Sequence, residues 1–267
     1  MPGKVEEYLL NKIREEGAIL ITLIDPENVN PKQANYVAQQ SQIFGSSAIM
    51  VGGSTLTISS HLDAVVKSIK KSVSIPIILF PNNITGVSKY ADAIWFMSLL
   101  NSSDPYFICG AQVLAAPLVK KFGLEPIPLG YVIVGEGGAA GVIGKAIPIP
   151  YNKPELAVAY ALAAQYLGMR FVYLEAGSGV QRPVPADMIR LVKTSVQIPL
   201  VVGGGIKTGR QAKEVVYAGS DIVVASTAFE EADRNAVKAK VAEIMAGIKE
   251  GLADRNKRVF GEKNDII

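Results

Sequence analysis

The stretch Leu200-Val-Val-Gly-Gly-Gly-Ile-Lys-Thr-Gly-Arg210 joins an apolar run to three consecutive glycines. A helix-like segment follows, and a second apolar run then ends in Ala225-Ser-Thr227. Glycine lets a backbone approach an anion closely, and the start of a helix presents N–H groups to it. Two such strand ends side by side are how parallel α/β barrels hold a phosphate. The stretch therefore indicates a phosphate site in a parallel α/β fold.

Apolar runs of strand length alternate with helical patterns along nearly the whole chain. We count about eight strands in 267 residues, which suits a (β/α)8 TIM barrel. A doubly wound open sheet is the alternative, but it usually begins with a Gly-x-Gly-x-x-Gly turn. The turn after the first predicted strand instead contains Asp25-Pro-Glu27. We predict one barrel domain over residues 1–250 and a polar C-terminal tail over residues 251–267.

One connection between predicted strands is too short for a barrel helix and its two loops. About ten residues separate Phe80 from Asp92, and they include Pro81, two asparagines and Gly86. We predict a modified barrel whose third helix is missing or replaced by an extended segment. Such a gap exposes an apolar flank of the barrel where a long apolar ligand can lie. The alternative is that a neighbouring loop or subunit covers the gap.

Composition excludes several classes of protein. The chain is 49% hydrophobic, which a buried parallel sheet explains, and no apolar stretch reaches the roughly 18–20 residues that span a bilayer. The charged start of the chain argues against a signal peptide. The net charge of +3 is too small to indicate nucleic-acid binding, and the lysines and arginines are scattered along the chain.

Single copies of cysteine and histidine limit the chemistry further. Cys109 can form no internal disulfide, so we expect a cytoplasmic protein. Because His61 is the only histidine, a multi-histidine metal site is excluded and a Ser–His–Asp triad is improbable. We expect His61 on a helix surface and Cys109 in apolar packing.

The ends of the last three predicted strands would lie next to one another at the mouth of the barrel, where active sites of this fold occur. Their glycine N–H groups and hydroxyls together predict a site for a phosphate monoester. The donors are Gly177, Gly179, Gly204, Gly205, Ser226 and Thr227. The alternative for any one glycine pair is an ordinary tight turn.

Glu175 is the best candidate for a general base, because it ends a buried strand beside these glycines. Tyr173 lies two residues earlier on the same face of the strand and could orient a substrate hydroxyl. The alternatives are that Tyr173 only fills the barrel and that Glu175 only hydrogen-bonds a polyol.

A second anion site is indicated across the barrel mouth. Asp25 ends the first predicted strand and Ser54 follows the second, so an oxygen from each can reach one hard cation. Mg²⁺ takes one or two carboxylates and leaves its other positions to phosphates and water. The alternatives are that Asp25 and Ser54 only cap the helices that follow them.

Four segments together resemble the geranylgeranylglyceryl phosphate synthase family, in order from about residue 5 to about residue 250. They are Tyr173-Leu-Glu-Ala-Gly-Ser-Gly179, Val202-Gly-Gly-Gly-Ile206, Leu23-Ile-Asp-Pro26 and Met50-Val-Gly-Gly-Ser-Thr55. The first of these is fairly specific, whereas many phosphate-binding barrels carry a glycine triplet. The family is a modified (β/α)8 barrel with its third helix replaced by an extended segment.

The resemblance implies a prenyltransferase that joins geranylgeranyl diphosphate to the 3-hydroxyl of sn-glycerol 1-phosphate, which makes the first ether bond of archaeal membrane lipids. It implies Mg²⁺ at Asp25 and Ser54. It places glycerol 1-phosphate on Tyr173, Leu174, Glu175, Ala176, Gly177, Ser178, Gly179, Gly204, Gly205, Ser226 and Thr227. Bacterial relatives make heptaprenylglyceryl phosphate, so the chain length stays open.

Two other functions remain as alternatives. A sugar-phosphate isomerase or aldolase would share only the phosphate site, and an aldolase needs a Schiff-base lysine at a strand end, where we find none. A non-catalytic phosphate-binding or lipid-binding barrel would bind without turnover. The sequence contains no Asp-Asp-x-x-Asp run, so a chain-elongating prenyltransferase is not an alternative. We also expect a homo-oligomer, and the lipid product favours peripheral contact with a membrane.

Overall fold

Eight parallel strands form a closed barrel in the order of the chain, with β8 paired back to β1. The computed structural model describes residues 2–53, 58–226 and 234–264, and in the last range the side chains of residues 236–257. The predicted TIM-barrel class is confirmed. The strands are β1 (Ile19–Ile24), β2 (Ala48–Val51), β3 (Ile77–Leu79), β4 (Ala93–Leu99), β5 (Glu125–Ile133), β6 (Phe171–Glu175), β7 (Leu200–Gly203) and β8 (Ile222–Ala225).

Helices surround the barrel and close its lower end. They are α1 (Lys4–Glu16), α2 (Pro31–Ile43), α3 (Ser59–Lys70), α4 (Ala111–Phe122), α5 (Gly138–Ile143), α6 (Pro154–Tyr166), α7 (Ala186–Ser195), α8 (Gly209–Ala218) and α9 (Arg234–Asn264). A π-helical turn over Tyr106–Gly110 precedes α4. None of the helices in the described part of the chain has the length and apolar character that crossing a membrane requires.

Two apolar layers share the strands, because alternate side chains of a strand point to opposite faces. The larger layer lies between the strands and the outer helices. The smaller layer fills the barrel and includes Trp95 and Phe171, whose ring centroids are 5.2 Å apart. Since both faces are covered, the strands are continuous apolar runs in the sequence.

Helix α1 closes the lower end of the barrel. Its residues Val5 and Leu9 pack into the inner apolar layer. The carboxylate of Glu125, at the start of β5, accepts the N–H groups of Val5 and Glu6, each at 2.8 Å. These bonds satisfy donors that the first turn of a helix leaves unpaired. The lower end is thereby sealed, and the upper end holds the site.

The predicted gap in the outer ring is confirmed. Between β3 and β4 the chain forms only a short 3-10 turn over Ile84–Gly86, within an otherwise irregular connection. Asn83 caps this turn by accepting the N–H of Thr85 at 2.8 Å. The connection forms no barrel helix that could cover β3 and β4. Apolar side chains of β4 therefore face the groove described below.

The predicted tail boundary at residue 250 falls inside α9, which continues to Asn264. Arg255 donates through Nη2 to the carbonyl of Gly17 at 2.9 Å, and through Nη1 to the carbonyls of Val216 and Ser220, each at 3.3 Å. Leu252 packs against the outer apolar layer. These contacts could not be predicted from the charged sequence of the segment, because Arg255 binds carbonyl groups that are distant from it in the chain.

A chain shortened to end at residue 250 should be less stable by about 2–4 kcal/mol, because it loses the Arg255 bonds and the packing of Leu252. The measurement is urea unfolding followed by circular dichroism. A chain ending at residue 257 keeps both contacts and is the control. Equal stability of the 250-residue and 257-residue chains would contradict the assigned contacts.

Candidate functional site

The ends of β6 and β7 meet at the barrel mouth, with Glu175 paired in register with Gly203. The loops that follow are in close contact. A Cβ atom on Gly204 would lie 2.5 Å from the nitrogen of Gly177 and 2.3 Å from Oε1 of Glu175. Only glycine permits this approach, so the predicted convergence of the two glycine loops is present in the structure.

Backbone conformation also requires glycine in these loops. The φ angles are +112° at Gly177, +79° at Gly179, +81° at Gly204 and +71° at Gly205. Side chains with a Cβ rarely adopt this region. Turns with this conformation form concave nests of N–H groups that bind anions. The geometry therefore suits a phosphate at the loops after β6 and β7.

The remaining predicted phosphate contacts divide into three groups. Ser226 directly follows β8, which pairs with β7, and is half-buried, whereas Thr227 lies outside the described residues. Leu174 and Ala176 are fully buried in the outer apolar layer, so they can serve the site only through their backbones. Ser178 is exposed and lines the groove.

Glu175 is a buried carboxylate, 6% exposed, at the upper end of β6. Its Oε1 accepts the N–H of Gly177 at 2.6 Å. This N–H therefore supports the carboxylate, whereas the sequence predicted that it would bind the phosphate. Burial raises the pKa of Glu175, while the nearby Tyr173 hydroxyl and the Gly177 N–H oppose this shift. A carboxyl group with a raised pKa is a stronger base than an exposed glutamate, which suits general-base chemistry.

Tyr173 lies directly below this carboxylate in an aromatic cluster with Phe80 and Tyr131. Its ring centroid is 5.7 Å from that of Phe80 and 5.2 Å from that of Tyr131. Burial, reinforced by the charge of Glu175, raises the pKa of Tyr173 well above its ordinary value. The hydroxyl has no hydrogen-bond partner of normal geometry among the described residues. It is thus a protonated donor beside the carboxylate, as well as part of the barrel filling.

Asp25 lies across the mouth, after β1, whose residue Ile24 pairs with Val51 of β2. A Cβ atom on Gly53 would lie 2.4 Å from Oδ1 of Asp25, so the two loops are in contact. Oδ1 also accepts the N–H of Glu27 at 2.9 Å, so Asp25 stabilises the turn in which it lies. Asp25 does not cap helix α2, because Asn30 is the N-cap residue of that helix. Ser54 lies outside the described residues.

The donor set beside Asp25 fits a cation shared with a substrate better than a cation held by protein alone. Within residues 2–53, 58–226 and 234–264 no three His, Cys, Asp or Glu side chains come together to hold a metal ion. One carboxylate at an open mouth matches Mg²⁺, which keeps several positions for phosphate oxygens and water.

An apolar groove leads from the mouth into the gap in the outer ring and is partly open to solvent. Gly52, Gly53 and Glu175 border it at the mouth. Both faces of β4 contribute, with Trp95 from the inner layer and Phe96 from the outer side. Further wall residues are Ile84, Val87, Phe107, Ala111, Ala115 and Ile143. This is the apolar flank that the missing helix was expected to expose.

Sequence reasoning missed several residues of the site. Phe80 and Tyr131 complete the aromatic cluster, and a Cβ atom on Gly203 would lie 2.1 Å from the Tyr173 hydroxyl. The period-two alternation of β5 was the available signal for Tyr131. Gln112 contributes a buried Oε1 to the groove with no partner among the described residues, and no sequence pattern marks it.

Comparison with known proteins gives a consistent result. Residues 11–246 match the PcrB family. A protein from Thermofilum pendens named geranylgeranylglyceryl phosphate synthase is 49% identical, over 96% of this chain and 100% of that protein. One from Pyrococcus abyssi with the same name is 53% identical, over 92% of this chain and 98% of that protein.

A crystal structure gives the same comparison at the level of the fold. It is (S)-3-O-geranylgeranylglyceryl phosphate synthase from Thermoplasma acidophilum in complex with its substrate sn-glycerol-1-phosphate. It superposes with a TM-score of 0.89 at 39% identity, over 94% of this chain and 100% of that chain.

Glu175→Gln should raise the melting temperature at pH 8 by about 2–4 °C, the shift that roughly 1 kcal/mol causes in a domain of this size. The folded protein holds the Glu175 proton more tightly than the unfolded chain, because the pKa is raised in the folded state. Stability is therefore lost as the pH rises through that raised pKa. The difference between variant and wild type should vanish below the ordinary glutamate pKa.

Glu243→Gln is the matched control, measured by the same thermal unfolding. Lys240 and the N–H of Gly209 lower the pKa of Glu243, so its charge stabilises the folded state and its loss should lower the melting temperature at pH 8. If both variants shift in the same direction, burial of the Glu175 charge is not the cause.

Proposed function

The chain belongs to the PcrB family of geranylgeranylglyceryl phosphate synthases, and we propose from this that it is a prenyltransferase acting on sn-glycerol 1-phosphate. In this proposal it transfers the prenyl group of geranylgeranyl diphosphate to the 3-hydroxyl and releases diphosphate. The acceptor is the substrate named in the Thermoplasma acidophilum complex, and the donor follows from the names of the relatives.

One observation carries the proposal: a buried carboxylate lies where a glycine-lined anion site meets a long apolar groove. Glu175 contacts the loop of Gly177 and also borders the groove. A phosphorylated acceptor and an apolar donor therefore converge on one base. A sugar-phosphate isomerase would need the phosphate site and the base, but would have no use for the groove.

The acceptor half acts by orientation and proton transfer. The loops at Gly177–Gly179 and Gly204–Gly205 hold the phosphate, with Ser226 and Thr227 completing the site. The 3-hydroxyl oxygen then forms its bond to C1 of the prenyl chain while the bond from C1 to the diphosphate breaks. The bonding electron pair leaves with the diphosphate, and the hydroxyl proton passes to Glu175. Tyr173 donates a hydrogen bond that orients these groups.

The donor half must hold a diphosphate that gains negative charge as it leaves. Asp25, with Ser54, would hold Mg²⁺ at this side of the mouth. When bound, the ion supplies charge neutralisation for the departing diphosphate. The prenyl chain lies in the groove, where the apolar walls exclude water from the allylic carbon. Magnesium dependence and the site residues are parts of the proposal.

The surface beside the groove supports two further expectations, which stay predictions. Val142 and Ile143 of α5 expose 78% and 45% of their surfaces at this edge. Apolar residues next to a lipid groove suit contact with a membrane, and they equally suit a homo-oligomer. A cytoplasmic location also stays a prediction.

The direct experiment is an assay with labelled glycerol 1-phosphate and geranylgeranyl diphosphate. We expect an organic-soluble labelled product that requires Mg²⁺. Glu175→Gln should lower kcat by about 10²–10⁴-fold, the range for loss of a general base. A donor series of different lengths then fixes the chain preference. No product above the metal-free control would reject the proposal and favour a binding protein.

The two halves of the site should separate in kinetics. Asp25→Asn should raise the KM for the prenyl diphosphate and the Mg²⁺ requirement, whereas Ser226→Ala should raise the KM for glycerol 1-phosphate by roughly 5-fold, the loss of one hydrogen bond. Each variant is the control for the other. Full activity of Asp25→Asn at limiting Mg²⁺ would show that the metal assignment is wrong.

A further inference from the structure

His61, the only histidine of the chain, lies on the first turn of α3 and is half-buried, whereas its expected place was the helix surface. Its Nε2 lies 2.7 Å from the carbonyl oxygen of Pro26 and 3.2 Å from that of Val29. Both partners are acceptors, so Nε2 carries a hydrogen and donates to them. His61 therefore connects α3 to the loop between β1 and α2.

The loop that His61 contacts is built around Asp25. The Asp25 carboxylate accepts the N–H of Glu27 at 2.9 Å, and the backbone carbonyl of Asp25 accepts the N–H of Asn28 at 3.1 Å. Of the two carbonyls that His61 binds, that of Pro26 belongs to this turn and that of Val29 directly follows it. A donor that bridges both carbonyls fixes the turn from outside, and with it the direction of the carboxylate.

The start of α3 is also joined to the opposite neighbour, the connection after β3. Ser59 donates through Oγ to the carbonyl of Thr85 at 3.2 Å, and Ser88 donates to Oδ1 of Asp63 at 2.5 Å. The first two turns of α3 thus contact the loop after β1 and the connection after β3. In sequence, α3 directly follows the segment that carries Ser54.

We propose that His61 is a positioning residue for the donor half of the site. It holds the Asp25 turn in the conformation that binds the diphosphate and its metal, through a hydrogen bond from Nε2 and without contact with substrate. This inference rests on the proposed function, because it assumes that Asp25 serves the prenyl diphosphate.

The test uses calorimetric binding of inorganic diphosphate in the presence of Mg²⁺, and of glycerol 1-phosphate, to the full chain. His61→Leu removes the donor, and His61→Gln restores an N–H at a similar reach. Asn35→Leu is the matched control, since the Asn35 amide also fixes α3 by one hydrogen bond, donated from α2 to the carbonyl of Ser68 at 2.8 Å, without contact with the Asp25 turn.

We expect His61→Leu to weaken diphosphate binding by about 5–10-fold, the loss of one or two hydrogen bonds. Glycerol 1-phosphate binding should stay within about twofold, His61→Gln should recover most of the diphosphate affinity, and Asn35→Leu should change neither ligand. In hydrogen exchange, the amides of residues 27–30 should exchange faster in His61→Leu than in wild type. If His61→Leu does not fold, His61→Asn replaces it, because its shorter amide does not reach Pro26.

Unchanged diphosphate affinity in a folded His61→Leu protein would overturn the inference and leave the proposed function standing. Equal weakening of both ligands would show a general structural role and would also overturn it. If wild-type protein binds no diphosphate with Mg²⁺, the proposed donor site itself fails, and the role of His61 fails with it.

Discussion

The burial of one carboxylate constrains the rest of the site. Glu175 is only 6% exposed, so keeping its side chain charged costs free energy, and burial raises its pKa. The N–H of Gly177 compensates part of this cost, and the close approach of Gly204 leaves no space for a larger side chain. The loops whose geometry suits a phosphate therefore also support the carboxylate that we propose as the base.

A second constraint comes from the missing barrel helix. A strand face without a helix would expose apolar side chains to water, and this chain uses that face as the wall of a groove. The π-helical turn over Tyr106–Gly110 and helix α4 form the opposite wall, held to β4 by a 2.7 Å bond from Ser98 to the carbonyl of Ile108. The groove reaches the mouth beside Glu175, where the proposed reaction requires an apolar chain and a polar acceptor to meet.

Much of this arrangement could be predicted from the sequence, because it follows from local periodicity. Continuous apolar runs predicted the strands, glycines at their ends predicted the converging loops of the proposed phosphate site, and the short connection after Phe80 predicted the missing helix. The residues that escaped prediction act through contacts between distant segments. Arg255 binds carbonyls at the C-terminal ends of α1 and α8, His61 binds a loop 32–35 residues earlier, and α5 forms within a glycine-rich stretch that has no helical pattern.

The central claim is that acceptor phosphate and prenyl chain approach Glu175 from opposite sides. The most direct measurement is a crystal structure with glycerol 1-phosphate, Mg²⁺ and a non-reactive thio analogue of geranylgeranyl diphosphate. We predict the phosphate on the loops at Gly177–Gly179 and Gly204–Gly205, the chain along the groove past Trp95 and Ala115, and the 3-hydroxyl within hydrogen-bond distance of Glu175. A diphosphate on the glycine loops, or a prenyl chain outside the groove, would contradict this account.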